Sequence, residues 1–433
     1  MFSNREGVTA NEWTVPTGGA RMAETFDELE RMDAERREEM LFARLPDHLE
    51  DAVARLPGMA RHLEGRDLDV SSRDDLARLP VLRKPALMEA QAADPPFGGY
   101  VDEARLAGSR VFTSPGPVWE PQGEGADPWG AARALFAAGF RAGDRVLNAL
   151  SYHMTPGGFI LDEGARALGC TVFPGGVGQT EAQVAAVAPL RPVGYTGTPD
   201  FLKVILDHAA ESGADVSSIT KALVSGGALF PSLRAEYAER GVAVMQAYAT
   251  ADLGVIAYET ATDGTVHEGM VVNENVIVEI VRPGTDDPVS ESEVGEVVVT
   301  NFSRTYPLVR FGTGDLSKVL PGSDGGAGAC GRTNTRLAGW MGRADQRTKV
   351  KGMFVDPKQV AQVVAAHGLE GARLVVTREG ERDAMELRFR GEAEPDAVAG
   401  TLRERTGLGG AVVRVDELPN DGLVIADERD YEG

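Results

Sequence analysis

Residues 145–249 read RVLNAL (145–150), FILDEGARALG (159–169), CTVFPGG (170–176), EAQVAAVAPLRP (181–192), VGYTG (193–197), DFLKVILDHAAESG (200–213), KALVSGG (221–227), SLRAEYAERG (232–241) and VAVMQAYA (242–249). Short apolar runs alternate with amphipathic helical stretches. That rhythm predicts βαβ units and a largely parallel sheet with helices on both faces. In such sheets ligands bind beyond the carboxyl ends of the strands. The turns there, TSPGP, SYHMTPGG, GTPD, SGGA and YATAD, become the first places to look for chemistry.

The texture differs on either side. Residues 23–93 are rich in Glu, Arg, Leu and Ala at helical spacing, with charge runs that suit solvated helix faces. From about 268 to 320 the pattern turns to alternating strands, VIVEIV, EVVVTNF and PLVRF, predicting a hairpin or small barrel. GGAGACG (325–331) is a glycine-rich loop. After Gly342 the order is strand, helix, strand, strand, helix, strand, a small α+β lobe of about ninety residues. The expected fold class is therefore α/β. A large N-terminal domain of parallel sheets flanked by helices carries a small β-barrel-like region, and a small mobile α+β C-terminal domain follows. The boundaries are 1–341 and 342–433. A chain of 433 residues exceeds one ordinary core, so length alone predicts two or three domains.

Composition narrows the function classes. Hydrophobic residues are 42% and charged residues 25%, as in globular proteins. No apolar run reaches the length of a membrane span. The start, MFSNREGVTANEW, lacks the basic and apolar regions of a signal peptide, so the cytoplasm is the expected location. A net charge of −22 argues against a nucleic-acid or anionic-membrane surface. Cys170 and Cys330 form no CxxC pair, which excludes a disulfide framework and disfavours structural zinc.

Two adjacent stretches narrow it further. PLVRFGTGDLSKVLPG (307–322) presents Asp315 on a Gly/Thr turn after an apolar strand. GWMGRADQRTKVKGMFVDP (339–357) presents an Arg-Ala-Asp turn and then a Lys-Gly turn. With SGGALF (225–230) and YATAD (248–252), these resemble, in order and spacing, the phenylacetate–CoA ligase branch of the acyl-adenylate-forming superfamily. The likeness runs from about Leu76 to near the C-terminus. It implies a ligase that joins a carboxylic acid to ATP, giving acyl-AMP and pyrophosphate. The small lobe then rotates, and the thiol of coenzyme A attacks the acyl-AMP. ATP/AMP, Mg2+ and coenzyme A are the implied cofactors. The partners are a small aryl or aryl-acetic acid and, as an open assembly, a homodimer.

The resemblance also assigns roles. Asp315 would accept hydrogen bonds from both ribose hydroxyls. Arg343 would offer its planar fork to ribose or α-phosphate oxygens. Asp345 and Gln346 fall at the hinge, and Lys351 with Gly352 forms the turn facing the pantetheine channel. Ser225, Gly226, Gly227 and Ala228 would approach the adenine closely. Tyr248, beside Ala249, would stack on it. Thr250 would reach the α-phosphate as a catalytic residue, and Asp252 would hold Mg2+. Otherwise Thr250 or Asp252 would simply cap a helix after the strand. His153 would shield the acid's charge or gate its pocket, whose walls would include Tyr152, Phe159, Gly197 and Ala247.

Two departures keep the activity open. The phosphate loop reads Thr113-Ser114-Pro115-Gly116-Pro117-Val118-Trp119-Glu120-Pro121. Prolines remove N–H donors, and Glu120 stands close to the place of the expected lysine. Thr113, Ser114 and Gly116 still offer donors. At the C-terminus Leu423 stands where a transition-state lysine is expected, and no lysine follows Lys358. Three readings therefore stand: a working ligase, an adenylation-impaired relative using preformed acyl-AMP or acyl-CoA, and a non-catalytic nucleotide or acyl-CoA binder.

Overall fold

The computed structural model describes residues 24–114, 117–227, 229–322, 330–344, 346, 348–350, 353–379 and 382–429. Ala228, Asp345, Lys351 and Gly352 lie outside the described residues.

The chain opens with helices. Asp33 caps α1 (Ala34–Arg55) by accepting the N–H groups of Glu35 and Arg36. Leu41, Leu45, Leu49 and Ala52 recur at helical spacing and are buried. Helices α2 (Pro57–His62) and α3 (Arg73–Leu76) lead to strand β1 (Leu82–Arg83) and α4 (Lys84–Ala93). Next, β2 (Val111–Ser114) and β3 (Val118–Pro121) form an antiparallel hairpin, pairing Phe112 with Glu120 and Ser114 with Val118. The expected phosphate loop, residues 113–121, falls on this hairpin, with Pro115 and Gly116 outside the described residues.

The alternating region folds as its rhythm dictates. It runs α5 (Ala131–Ala137), β4 (Arg145–Asn148), α6 (Gly157–Ala167), β5 (Thr171–Pro174), α7 (Thr180–Leu190), β6 (Gly194–Gly197), α8 (Pro199–Ser212), β7 (Lys221–Val224), α9 (Pro231–Glu239) and β8 (Ala243–Thr250). The strands lie parallel in the order β5-β4-β6-β7-β8. Strand neighbours point to opposite faces. Val146 and Leu223 enter one core with Leu135, Phe140 and Ile160. Leu147 and Val224 enter the other with Tyr195, Leu202 and Tyr237. Each such fully buried aliphatic side chain contributes on the order of 1.5–3 kcal/mol. GTPD supplies the start of α8: Thr198 caps it and Pro199 occupies the first turn.

After β8 no helix follows. Residues 251–253 turn the chain into β9 (Gly254–Tyr258), antiparallel to β8. This corrects the reading of YATAD as a strand-to-helix cap. The small hairpin β10 (Ala261–Thr262) and β11 (Thr265–Val266) precedes β12 (Met270–Val272). The region read as a hairpin or small barrel is β13 (Val276–Val281), β14 (Gly295–Asn301) and β15 (Phe311–Ser317), in a four-stranded sheet ordered β1-β15-β14-β13. Strand β16 (Arg336–Leu337) returns to the large sheet, completing eight strands ordered β16-β12-β9-β8-β7-β6-β4-β5.

The C-terminal part starts with the hairpin β17 (Thr348–Val350) and β18 (Met353–Val355). Asp356 and Gln359 form a capping box on α10 (Pro357–His367), and Gly368 ends it in the left-handed region. Strands β19 (Gly371–Glu379) and β20 (Arg382–Arg390), helix α11 (Pro395–Thr406), β21 (Ala411–Arg414) and β22 (Ile425–Asp427) follow. The sheet order is β21-β20-β19-β22. Val360, Leu374, Leu387, Phe389 and Leu402 make a core of its own there. No helix among the described residues is long and apolar enough to cross a membrane.

Candidate nucleotide site

Asp315 lies on β15, 8% exposed, with its carboxylate heavily engaged. Oδ1 accepts from Arg343 Nη1 at 2.8 Å and from Trp340 Nε1 at 3.1 Å. Oδ2 accepts from the Tyr248 hydroxyl at 3.0 Å. A carboxylate has about four acceptor positions, so three donors leave about one. Burial, then the Asp315 charge, pushes the Tyr248 phenol far above its ordinary range, so it stays a donor.

The backbone explains the convergence. Residues 339–344 run antiparallel to β15: Leu316 N–H donates to Gly342 O and Ala344 N–H to Gly314 O. An isolated bridge pairs Asp315 with Arg343. Gly314 has φ +73°, and a Cβ there would lie 2.6 Å from Arg343 Nη2. The glycine of GTGD is therefore required both for its conformation and for the space that the guanidinium occupies.

Ser225, Gly226, Gly227, Ala247, Tyr248, Ala249 and Asp315 line one cavity of about 650 Å3, with Trp340 at its wall. Gly226 adopts φ +72°, and Gln246 Nε2 donates to Gly227 O at 3.0 Å. The strand-end turn, the tyrosine and the β15 acid, read separately from sequence, thus meet in space. Trp340, half exposed, joins them without any motif in the sequence to mark it. Arg343 also borders a second cavity of about 670 Å3, with Thr313, Gly314 and Lys84.

Behind this surface lies a carboxyl cluster. Asp252 Oδ2 is 2.9 Å from Lys84 Nζ. Ser114 Oγ donates to Glu120 Oε1 at 2.6 Å. Glu120 is 1% exposed. Burial first, and the neighbouring Asp252 second, push its carboxyl well above the usual range, so Glu120 resides here as the neutral acid. Both oxygens of Asp252 and Glu120 Oε2 are buried, and the neutral Glu120 shares its proton with Asp252. The repulsion expected between Glu120 and a phosphate is thus reduced by protonation. Thr250 Oγ1 accepts Leu253 N–H at 3.3 Å within the turn, and Thr113 N–H donates to Met154 O at 2.9 Å.

The residues expected around the acid divide. Ala247 lines the same cavity as Tyr248 and Asp315. Tyr152 packs edge-on against Phe159, centroids 5.0 Å apart, and its hydroxyl is tied to Asp162 Oδ2 at 2.7 Å and Asn148 Nδ2 at 2.7 Å. Gly197 leaves room for the Tyr195 hydroxyl, which a Cβ would meet at 2.1 Å. His153 is exposed, with its backbone N–H on Ser151 Oγ.

The AMP-binding enzyme family is matched over residues 130–303. The phenylacetate-coenzyme A ligase of Thermus thermophilus is 29% identical over 380 residues, 83% of each chain. That of Aromatoleum evansii is 28% identical over 355 residues, 78% of this chain and 76% of its own. These likenesses support the phenylacetate–CoA ligase-like branch of the adenylate-forming superfamily as the group this chain resembles. The crystal structure of 2-hydroxyisobutyryl-CoA ligase in the postadenylation state with 2-HIB-AMP superposes with a TM-score of 0.67 at 24% identity. It covers 93% of this chain and 91% of that one, showing the shared fold.

Against other expectations for the adenylate-forming branch, the C-terminal loop carries no cation. Leu423 packs beside Val294, Leu316 and Ala344. Gly422 has φ +71°, and a Cβ there would lie 2.4 Å from Val294. Gln346 Nε2 donates to Gly422 O at 2.7 Å and Ile425 N–H to Gln346 Oε1 at 2.8 Å. The leucine serves as an apolar contact next to the strand bearing Asp315.

Proposed function

We propose that this protein is an AMP-forming carboxylic acid–CoA ligase acting on an aryl or aryl-acetic acid through an acyl-AMP. One observation carries the reading: the Asp315 carboxylate opens into the same cavity as the Ser225–Gly227 turn and Tyr248. Ribose hydroxyls would displace one present donor from Asp315, Trp340 or Arg343, and adenine would lie along the glycine turn beside Tyr248. Thr250 would address the α-phosphate, and the acid would enter from the side of Ala247. Residues 1–341 would form the body and 342–433 a lid turning about Gly342–Gln346, with Lys351 facing the pantetheine after rotation.

The buried Asp252 carboxylate would hold a hard cation brought in with nucleotide phosphates, and Glu120 would join it on giving up its proton. A Mg2+ bound there would neutralise phosphate charge. In the reaction the acid's carboxylate oxygen attacks the α-phosphorus and pyrophosphate leaves. The CoA thiolate then attacks the acyl carbon and AMP leaves.

The test supplies ATP, CoA and a panel of aromatic, aryl-acetic and short aliphatic acids, reading thioester formation. The reading predicts thioester with an aryl or aryl-acetic acid. Formation only from preformed acyl-AMP would replace it with the adenylation-impaired alternative.

A further inference from the structure

We propose that Lys84 is the cation that binds the 5′-phosphate of AMP or acyl-AMP in this protein, a proposal that rests on the adenylate-forming reading above. Strand β1 pairs in parallel with β15, Leu82 beside Phe311 and Arg83 beside Gly312. The next residue, Lys84, therefore emerges alongside the strand bearing Asp315. Its side chain spans two environments. Its ammonium lies 2.9 Å from Asp252 Oδ2, and Asp252 is 0% exposed at its side chain while Lys84 is 28% exposed. The same lysine borders the open cavity that it shares with Thr313, Gly314 and Arg343.

A second observation points to a ligand. The Lys84–Asp252 contact is charge attraction without an aligned N–H, since the side-chain hydrogen bond of Asp252 comes from the Glu120 acid. An ammonium has three N–H donors. One can settle on Asp252 while the others meet phosphoryl oxygens. The neighbouring cations are more committed. Arg83 is bonded to Glu296 at 3.1 Å and Asp286 at 3.0 Å, and Arg343 to Asp315 at 2.8 Å. The two places where a lysine was expected hold Glu120 and Leu423. A chain of net charge −22 needs local positive charge to hold a phosphate dianion. Lys84 supplies it from a part of the sequence about 170 residues before Asp252.

The experiment is calorimetric titration of the full chain with adenosine and with AMP, for wild type, Lys84→Met and Lys84→Arg. Wild type is expected to bind AMP at least about tenfold tighter than adenosine. Lys84→Met should keep its adenosine affinity and bring the ratio to within about twofold; Lys84→Arg should retain the preference for AMP. An unchanged ratio in Lys84→Met overturns the proposal. So does a wild type that binds adenosine and AMP equally, which leaves the nucleoside site standing. A wild type that binds neither overturns the adenylate reading and the proposal together. Adenosine binding itself reports that each variant is folded; should Lys84→Met fail there, Lys84→Gln gives the same ratio.

Discussion

Asp315 works at this site only because the residues around it leave space and direct donors. Gly314 is the clearest case. Its φ is +73°, and Arg343 Nη2 lies 2.6 Å from the place a Cβ would take, which leaves no room for a side chain. Gly314→Ala is expected to destabilise the protein by about 1–2 kcal/mol from backbone conformation alone and to move Arg343 off Asp315. Thermal unfolding with AMP titration checks both; an unchanged AMP affinity would show that the Arg343 position is immaterial. At this scale the sequence was partly legible. Asp315, Tyr248 and the Ser225–Gly227 turn could be read because each motif is contiguous. Lys84 and Trp340 could not. Lys84 reads as a helix start, and only the pairing of β1 with β15 carries it to Asp252. Trp340 reads as one aromatic in a loop until residues 339–344 are laid along β15.

The elements are held by a few buried polar anchors. Arg310, 0% exposed, joins the short β1 region to the β13–β15 sheet. Its Nε donates to Glu279 at 3.0 Å, and its other nitrogens donate to the carbonyls of Ala77, Leu79 and Asp286. Arg310→Ala would strand a buried carboxylate. A loss of about 3–5 kcal/mol is expected in denaturant unfolding; a change below about 1 kcal/mol, the size of an exposed pair, would deny Arg310 this role. Helix α1 carries a pH response. His48 is half-buried, with its Nε2 buried and without a partner and its ring 5.3 Å from Phe302. Burial first holds its pKa down to about 4, despite the attraction of Asp51. The unfolded chain binds the proton from about pH 6.5 downward. The contribution of neutral His48 is therefore complete above about pH 6.5 and is lost as pH falls towards about 4, amounting to about 3 kcal/mol. The stability of His48→Leu relative to wild type should rise as pH falls through that window; a gap independent of pH would refute the assignment. The order of the elements was legible from residue 145 to 250 because parallel buried strands read as apolar runs between helices. The turn after Thr250 was not, since a cap and a hairpin turn use the same Thr and Asp. Strands β18 and β22 were too short to register, and β22 pairs with β19 about fifty residues earlier in the chain.

For the molecule as a whole, charge and architecture pull in different directions. The chain carries −22 overall, yet Lys84 and Arg343 border one cavity beside Asp315. The C-terminal sheet has its own core, while the 418–424 loop seats Leu423 against Leu316 and Val294. That seat explains in packing terms why an apolar residue stands there. The central claim is an AMP-moiety site built on Asp315, and calorimetric titration with AMP of wild type against Asp315→Ala tests it most directly. Hydrogen bonds to a charged group contribute about 1.5–3 kcal/mol each, so the variant should bind AMP at least about tenfold more weakly while still unfolding cooperatively. Equal AMP affinity in a folded Asp315→Ala would contradict the account.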